Sequence, residues 1–166
     1  MASNSTNKKP VIKYVSTKVF DGFSTCFRQW KASGTHCKYL HGYGVSFKVW
    51  FEGELDECNW VWEFGGMKRA KCKIDGMNPK EWMDYMFDHT VIVAEDDPQL
   101  DEFYKLESLG LIQLRVVLAV GAEKFAELVF QKLDEFVQAE TKGRVRVKRV
   151  EFREHAKNTA FVEVMS

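Results

Sequence analysis

The chain has no apolar run approaching the length of a membrane span and no excess of either charge. It has only three prolines and four histidines in 166 residues. Lys+Arg and Asp+Glu stand at 24 each, so no net field draws it to nucleic acid or to an anionic membrane. The scarcity of proline excludes Pro-rich linkers, and no repeat or low-complexity tract appears. Four cysteines (Cys26, Cys37, Cys58, Cys72) lack paired CxxC spacing, which argues against a zinc ribbon or a disulfide framework. They read as reduced thiols of a cytoplasmic protein. The opening MASNSTNKKP has no apolar core of a secretory signal and reads as a short disordered lead over residues 1–10.

What is present is a soluble composition, 45% hydrophobic and 29% charged, in a chain long enough for one buried domain over residues 11–166. Val11 to Phe20 alternates as a strand, and Phe23 to Trp30 reads as a second extended segment. Tyr43 to Phe51 is the clearest strand, with Val45, Phe47, Val49 and Phe51 on one face. Trp60 to Phe64 reads as short and extended, and MKRAKCKI as helical after Gly65 and Gly66. Asn78-Pro79 supplies a cap and a first-turn proline for a helix over KEWMDYMF. Pro98 to Leu109 reads as a short helix and Leu111 to Val117 as a strand. Glu123 to Val137 has a broad apolar stripe, and Gly143 ends it. Val145 to Arg153 and Thr159 to Val164 form an expected antiparallel pair. Arg144, Arg146, Lys148 and Arg149 make a local basic cluster, for which a solvated strand face is a commoner explanation than a phosphate patch. Strands, then helices, then strands indicate an α+β domain.

The four histidines all fall in or beside loops and strand ends, where functional residues concentrate. Three of them adjoin another reactive type: His36-Cys37, Asp88-His89 and Glu154-His155. Cys37, flanked by His36 and Lys38, is the candidate reactive thiol. A thiolate that takes a proton, with a carboxylate fixing the tautomer of an imidazole, forms a coherent acid–base set.

These residues resemble the 6-pyruvoyltetrahydropterin synthase and 6-carboxytetrahydropterin synthase family. The Cys-x-x-x-His-Gly-His-type signature is matched by Cys37-Lys-Tyr-Leu-His41-Gly42-Tyr43. Phe23-Ser-Thr-Cys-Phe27, Trp60-Val-Trp-Glu63-Phe64-Gly-Gly-Met-Lys68, Phe87-Asp88-His89 and Ala122-Glu123-Lys-Phe-Ala126 echo further family segments in order. The resemblance implies the tunnelling fold, an antiparallel sheet with helices on one face, assembled as a homo-oligomer, a hexamer by analogy. It also implies 7,8-dihydroneopterin triphosphate as substrate, with service to 7-deazaguanine (queuosine), folate or biopterin chemistry. The short Cys-x-x-x-His spacing favours the 6-carboxy branch. Cys37 would be the proton-abstracting thiolate, Asp88 and His89 its partner dyad, and Glu154 the carboxylate that anchors the pterin. A carboxylate suits that edge because it accepts two adjacent N–H donors in a plane.

The departure lies in the metal site. The family holds zinc with three histidines, and here the matching positions read Phe27, His41 and Tyr43. Only His41 remains. Cys26 adjoins the vacant position, but in a regular strand it faces the other way, and only a one-residue bulge would turn it inward as a substitute ligand. The expectation is little or no zinc and no other cofactor. Two further readings stand beside the synthase: a metal-free pterin-modifying enzyme, and a non-catalytic pterin- or purine-binding protein.

Overall fold

A computed structural model describes residues 12–165. The expected lead over residues 1–10 lies outside them. Six strands form one sheet: β1 (Tyr14–Phe27), β2 (His41–Gly53), β3 (Thr90–Ala94), β4 (Leu114–Val117), β5 (Val145–His155) and β6 (Asn158–Glu163). Their order is β4-β3-β1-β2-β5-β6. The pairs β1–β2, β2–β5 and β5–β6 are antiparallel, while β3 runs parallel to β1 and β4 parallel to β3. The sheet is therefore mixed, with the expected antiparallel arrangement in its four long strands.

The two extended segments expected at the start are one strand. Phe20 lies opposite Phe47, yet Phe23 lies opposite Val45, so β1 carries one extra residue at Asp21–Gly22. Gly22 takes the left-handed backbone (φ 82°) that such a bulge uses. The bulge puts Phe20 and Phe23 on the same buried face although they are three apart. A second irregularity, where Phe51 pairs with Val147 and Trp50 with Arg149, lets Val147 and Val150 both turn inward.

Two helices cover that face: α1 (Pro79–Phe87) and α3 (Ala122–Thr141). Asn78 accepts from the Glu81 N–H at 3.0 Å while the Glu81 carboxylate accepts from the Asn78 N–H at 2.9 Å, a capping box that stabilises α1 by about 1 kcal/mol. Aromatic rings knit sheet to helices: Phe47 lies 4.6 Å from Phe87 and 5.1 Å from Phe152, and Phe125 lies 5.5 Å from Phe152. Such pairs add about 0.5–1.5 kcal/mol each beyond their burial. A third helix, α2 (Leu100–Ser108), makes a small separate core of Phe103 with Val93 and Leu114. Among the described residues no helix is long and apolar enough to cross a membrane.

Three expectations need correcting. Trp60 to Phe64 forms no strand. MKRAKCKI is not an α-helix: a 3-10 segment spans Phe64–Arg69 and the chain then turns. The Glu140 carboxylate of α3 takes the Lys71 and Cys72 N–H groups at 3.2 and 2.8 Å, donors that a continuing helix would need. Strand β3 was not anticipated.

The basic cluster also has a structural explanation. Arg146 (2.8 Å) and Lys148 (3.4 Å) converge on Glu52, whose side chain is only 8% exposed, and Lys13 joins them at 3.4 Å. Arg146 and its companions hold that carboxyl below its usual range. Arg144 instead props a loop through the carbonyls of Glu54, Trp60 and Val61.

Candidate functional site

The far end of β1 and the start of β2 place the site. Phe23, Thr25 and Phe27 lie opposite Val45, Tyr43 and His41, so Phe27, Tyr43 and His41 share the helix-covered face. Cys26 pairs with Gly42 and faces the opposite side. A bulge does exist in β1, but it lies upstream and acts in the opposite sense to the one that would turn Cys26 inward. By shifting the alternation after Phe20, it turns Phe27 inward and Cys26 outward, which removes Cys26 as a substitute ligand.

Phe27 is 2% exposed, stacked on Tyr43 at 4.8 Å and edge-on to Phe125 at 4.9 Å. The Nδ1 of His41 lies 2.6 Å from the Tyr39 carbonyl, and its Nε2 is hydrogen-bonded to the Tyr43 hydroxyl. Glu154 follows Phe152 on β5, where the pairing of Arg153 with Ser46 runs on toward the start of β2, and a register shift against β6 falls between Arg153 and His155. Burial, then the charge and hydrogen bonding of Glu154, then Cys37 and Cys26, hold the Tyr43 phenol well above its ordinary range.

Cys37 sits in a 3-10 turn (His36–Lys38) just before β2 and is exposed. The Gln29 N–H donates to its carbonyl at 2.8 Å, and its own N–H donates to Thr35 Oγ1 at 3.2 Å. Three residues separate it from His41, the first residue of β2, and it is among the groups that raise the Tyr43 phenol. His41 and Tyr43 are in direct contact, and Glu154 and Cys37 both act on the phenol.

Asp88 and His89 lie apart from them, at the end of α1 along the outer edge of β1. Asp88 Oδ1 accepts from the Ser24 N–H at 3.2 Å and lies 2.9 Å from His89 Nδ1. Thr25 and Thr90 fasten this corner by donating to the carbonyls of Phe87 (2.5 Å) and Met86 (2.9 Å). His89 adopts a left-handed backbone (φ 55°), and its side chain is 76% exposed. Among the described residues no hydrogen bond or ion pair joins Cys37 to this dyad.

Sequence reasoning missed the neighbours that brace the site. Arg28 grips Asp97 with two bonds of 2.8 and 2.6 Å, tying the end of β1 to the loop after β3. The Gln29 amide packs so closely on Gly121 that a Cβ there would lie 2.8 Å from its nitrogen. Gly121 itself has φ 124°, and α3 starts directly after it. No local pattern announces pairs this distant in sequence.

A resident zinc does not fit these side chains. Phe27 offers no donor and its space is filled by packed rings. Tyr43 is held as a neutral phenol that bonds His41, whereas zinc sites use imidazole, thiolate or carboxylate. Among the described residues no three His, Cys, Asp or Glu side chains gather as a metal site.

The family profile described as 6-pyruvoyl tetrahydropterin synthase matches residues 16–164. An uncharacterized protein from Wolinella succinogenes superimposes with a TM-score of 0.72 at 24% identity, over 92% of this chain and 99% of that one. The 6-pyruvoyl tetrahydropterin synthase of Caenorhabditis elegans gives 0.61 at 18% identity, over 93% and 97%. The Plasmodium vivax enzyme of the same name gives 0.58 at 14%, over 90% and 97%. At these identities the three structures support the shared fold. No curated protein sequence matches significantly.

Proposed function

Since the chain belongs to the 6-pyruvoyl tetrahydropterin synthase family, we propose that it is a pterin-site lyase working without the family's zinc. It acts on the side chain of 7,8-dihydroneopterin triphosphate or of the corresponding dihydroneopterin, nearest in type to a 6-carboxytetrahydropterin synthase. The observation that carries this reading is the contact of Tyr43 with His41 on one sheet face, with Glu154 and the exposed Cys37 both acting on the phenol. In it Glu154 accepts the amino-pyrimidinone edge, while the Cys37 thiolate takes a proton from the ligand side chain. Asp88 fixes the His89 tautomer, leaving Nε2 free to exchange protons.

The dyad reaches a thiol through a second copy of the chain. The outer edge of β1 is unpaired before Thr25, because β3 covers only Thr25–Phe27, and β6 ends the sheet on the other side. Unpaired edges invite strand addition. Exposed Val15 and Val19 on β1 and Phe161 on β6 share the helix-free face, so head-to-tail pairing would bury all three and close a ring. Four free thiols suit a cytoplasmic enzyme.

The test is incubation of purified protein with 7,8-dihydroneopterin triphosphate and with dihydroneopterin, with and without a chelator, followed by chromatography of the pterins. Chelator-insensitive conversion of either supports the reading. Binding without conversion would favour a pterin-binding protein, and no interaction with any pterin would sink the assignment.

A further inference from the structure

Helix α1 ends where the Asp88–His89 pair begins, and three strands reach across to hold that end. The last carbonyls of a helix have no partner within it and must find donors elsewhere. Here each carbonyl of the final turn has a named donor. The Asp88 N–H closes on Asp84 at 2.9 Å, and the Arg115 guanidinium of β4 donates to Tyr85 at 2.7 Å. The Thr90 hydroxyl of β3 donates to Met86 at 2.9 Å, and the Thr25 hydroxyl of β1 to Phe87 at 2.5 Å.

The two threonines lie deep. Thr25 is 1% exposed and Thr90 3%, and they stand opposite each other where β3 pairs with β1. A buried hydroxyl costs free energy unless it is bonded, so both are committed to the helix end. Only Asp88 and His89 join α1 to β3, and they turn the chain within that span. His89 does so in the left-handed region, at φ 55°, a conformation uncommon outside glycine. Such a residue persists where its surroundings over-determine it. Met86 and Phe87 are fixed just before the pair, and Thr90 directly after it. Ser24, next to Thr25, adds its N–H to Asp88 Oδ1 at 3.2 Å, the same oxygen that lies 2.9 Å from His89 Nδ1.

We infer that Thr25 and Thr90 are positioning residues for the Asp88–His89 pair. Their hydroxyls fix the end of α1, so the two-residue connection carries the carboxylate and the imidazole at a set place on the edge of β1. Thr25 also lies opposite Tyr43 on β2, so Tyr43, Thr25 and Thr90 form one row across three strands and tie the pair to that register. The inference rests on the proposed reading of Asp88 and His89 as the proton-exchanging pair.

The test is amide hydrogen exchange followed by NMR on the full chain, with Thr25→Val and Thr90→Val each removing one hydroxyl. The Ser24 N–H reports on Asp88, and the Glu81 N–H, bonded to Asn78 at the other end of α1, is the internal control. In either variant Ser24 should exchange about tenfold faster, the scale of one lost hydrogen bond, with Glu81 unchanged. Thr25→Ser, which keeps the hydroxyl, should restore the wild-type rate. In the pterin assay the valine variants should lose about tenfold in kcat with KM unchanged, as when a proton-transfer group is misplaced but the ring is still bound. If Thr25→Val fails to fold in a thermal melt, Thr90→Val carries the test. Unchanged Ser24 exchange in a folded valine variant, or equal acceleration at Ser24 and Glu81, overturns the inference. So does a Thr25→Ser protein as fast as Thr25→Val, or a wild-type kcat despite faster Ser24 exchange. Wild-type protein that converts no pterin overturns the lyase reading instead, and the comparison of Ser24 with Glu81 still decides whether the hydroxyls place the pair.

Discussion

Changing Phe27 and Tyr43 together to histidine should create a zinc site. His41 already donates its Nδ1–H to a backbone carbonyl, the outer contact that orients metal-bound imidazoles. The change has a cost in the empty protein, because Phe27 is buried between Tyr43 and Phe125 at 4.8 and 4.9 Å. Exchanging that ring for imidazole should destabilise the fold by about 2–3 kcal/mol, below the loss for a full truncation. For a chain of this length, that lowers the melting temperature by roughly 5–10 °C. Zinc at a thousandfold over its dissociation constant contributes about 4 kcal/mol in return. The double variant should therefore melt below wild type in chelator and at or above it in zinc, while wild type ignores both. Thermal melts paired with elemental analysis read this directly. A variant indifferent to zinc, or a wild type carrying about one tightly held zinc per chain, would refute the account of Phe27 and Tyr43.

Glu154→Gln should weaken pterin binding by about 1–3 kcal/mol, because an acceptor becomes a donor facing donors; calorimetry showing equal affinity would return Glu154 to the surface. Iodoacetate should label Cys37 first, drawn by His36 and Lys38 to an exposed thiol, ahead of Cys58 in its acidic turn. Cys26 and Cys72 should lag, since burial raises one thiol and the Glu140 hydrogen bond, then burial, raises the other; peptide mapping with the reverse order would remove Cys37 as the reactive group. Asp97 is 1% exposed, and although burial pushes its carboxyl up, Arg28 and the Gln99 N–H hold it below its usual range. Its stabilisation is present above the unfolded carboxyl's pKa of about 3.9 and is lost as pH falls through the lower folded value. Asp97→Asn should cost about 3–5 kcal/mol near neutrality and flatten the acid limb of the stability curve; an unaltered limb in acid titration would contradict this. Sedimentation at micromolar concentration should show a ring-sized oligomer, and a well-behaved monomer would remove the shared site.

Features governed by neighbours along the chain were legible in the sequence. Asn78-Pro79 gave away α1, the apolar stripe from Phe125 to Val137 gave away α3, and the Cys37 to Tyr43 spacing pointed to the site. Strand β3 escaped because Thr90–Ala94 is a short apolar run with no alternation, hidden between α1 and α2. The helix expected at MKRAKCKI failed because Glu140, far along the chain, takes its N–H groups. The opposite facing of Cys26 and Phe27 followed from regular alternation, but the bulge at Asp21–Gly22 that sets which of them shares the face of Phe20 was not legible.

A strand carries one bit per residue, inward or outward, and the extra residue at Asp21–Gly22 acts on that code as a frameshift. Everything downstream is read in the other phase, so a turn that touches no ligand decides whether a thiol or a phenyl ring faces His41. An alignment that pairs residues by counting along β1 would assign chemistry to the wrong side chain. For relatives of this chain, the location of the inserted residue therefore carries as much functional information as the identity of the residues that follow it.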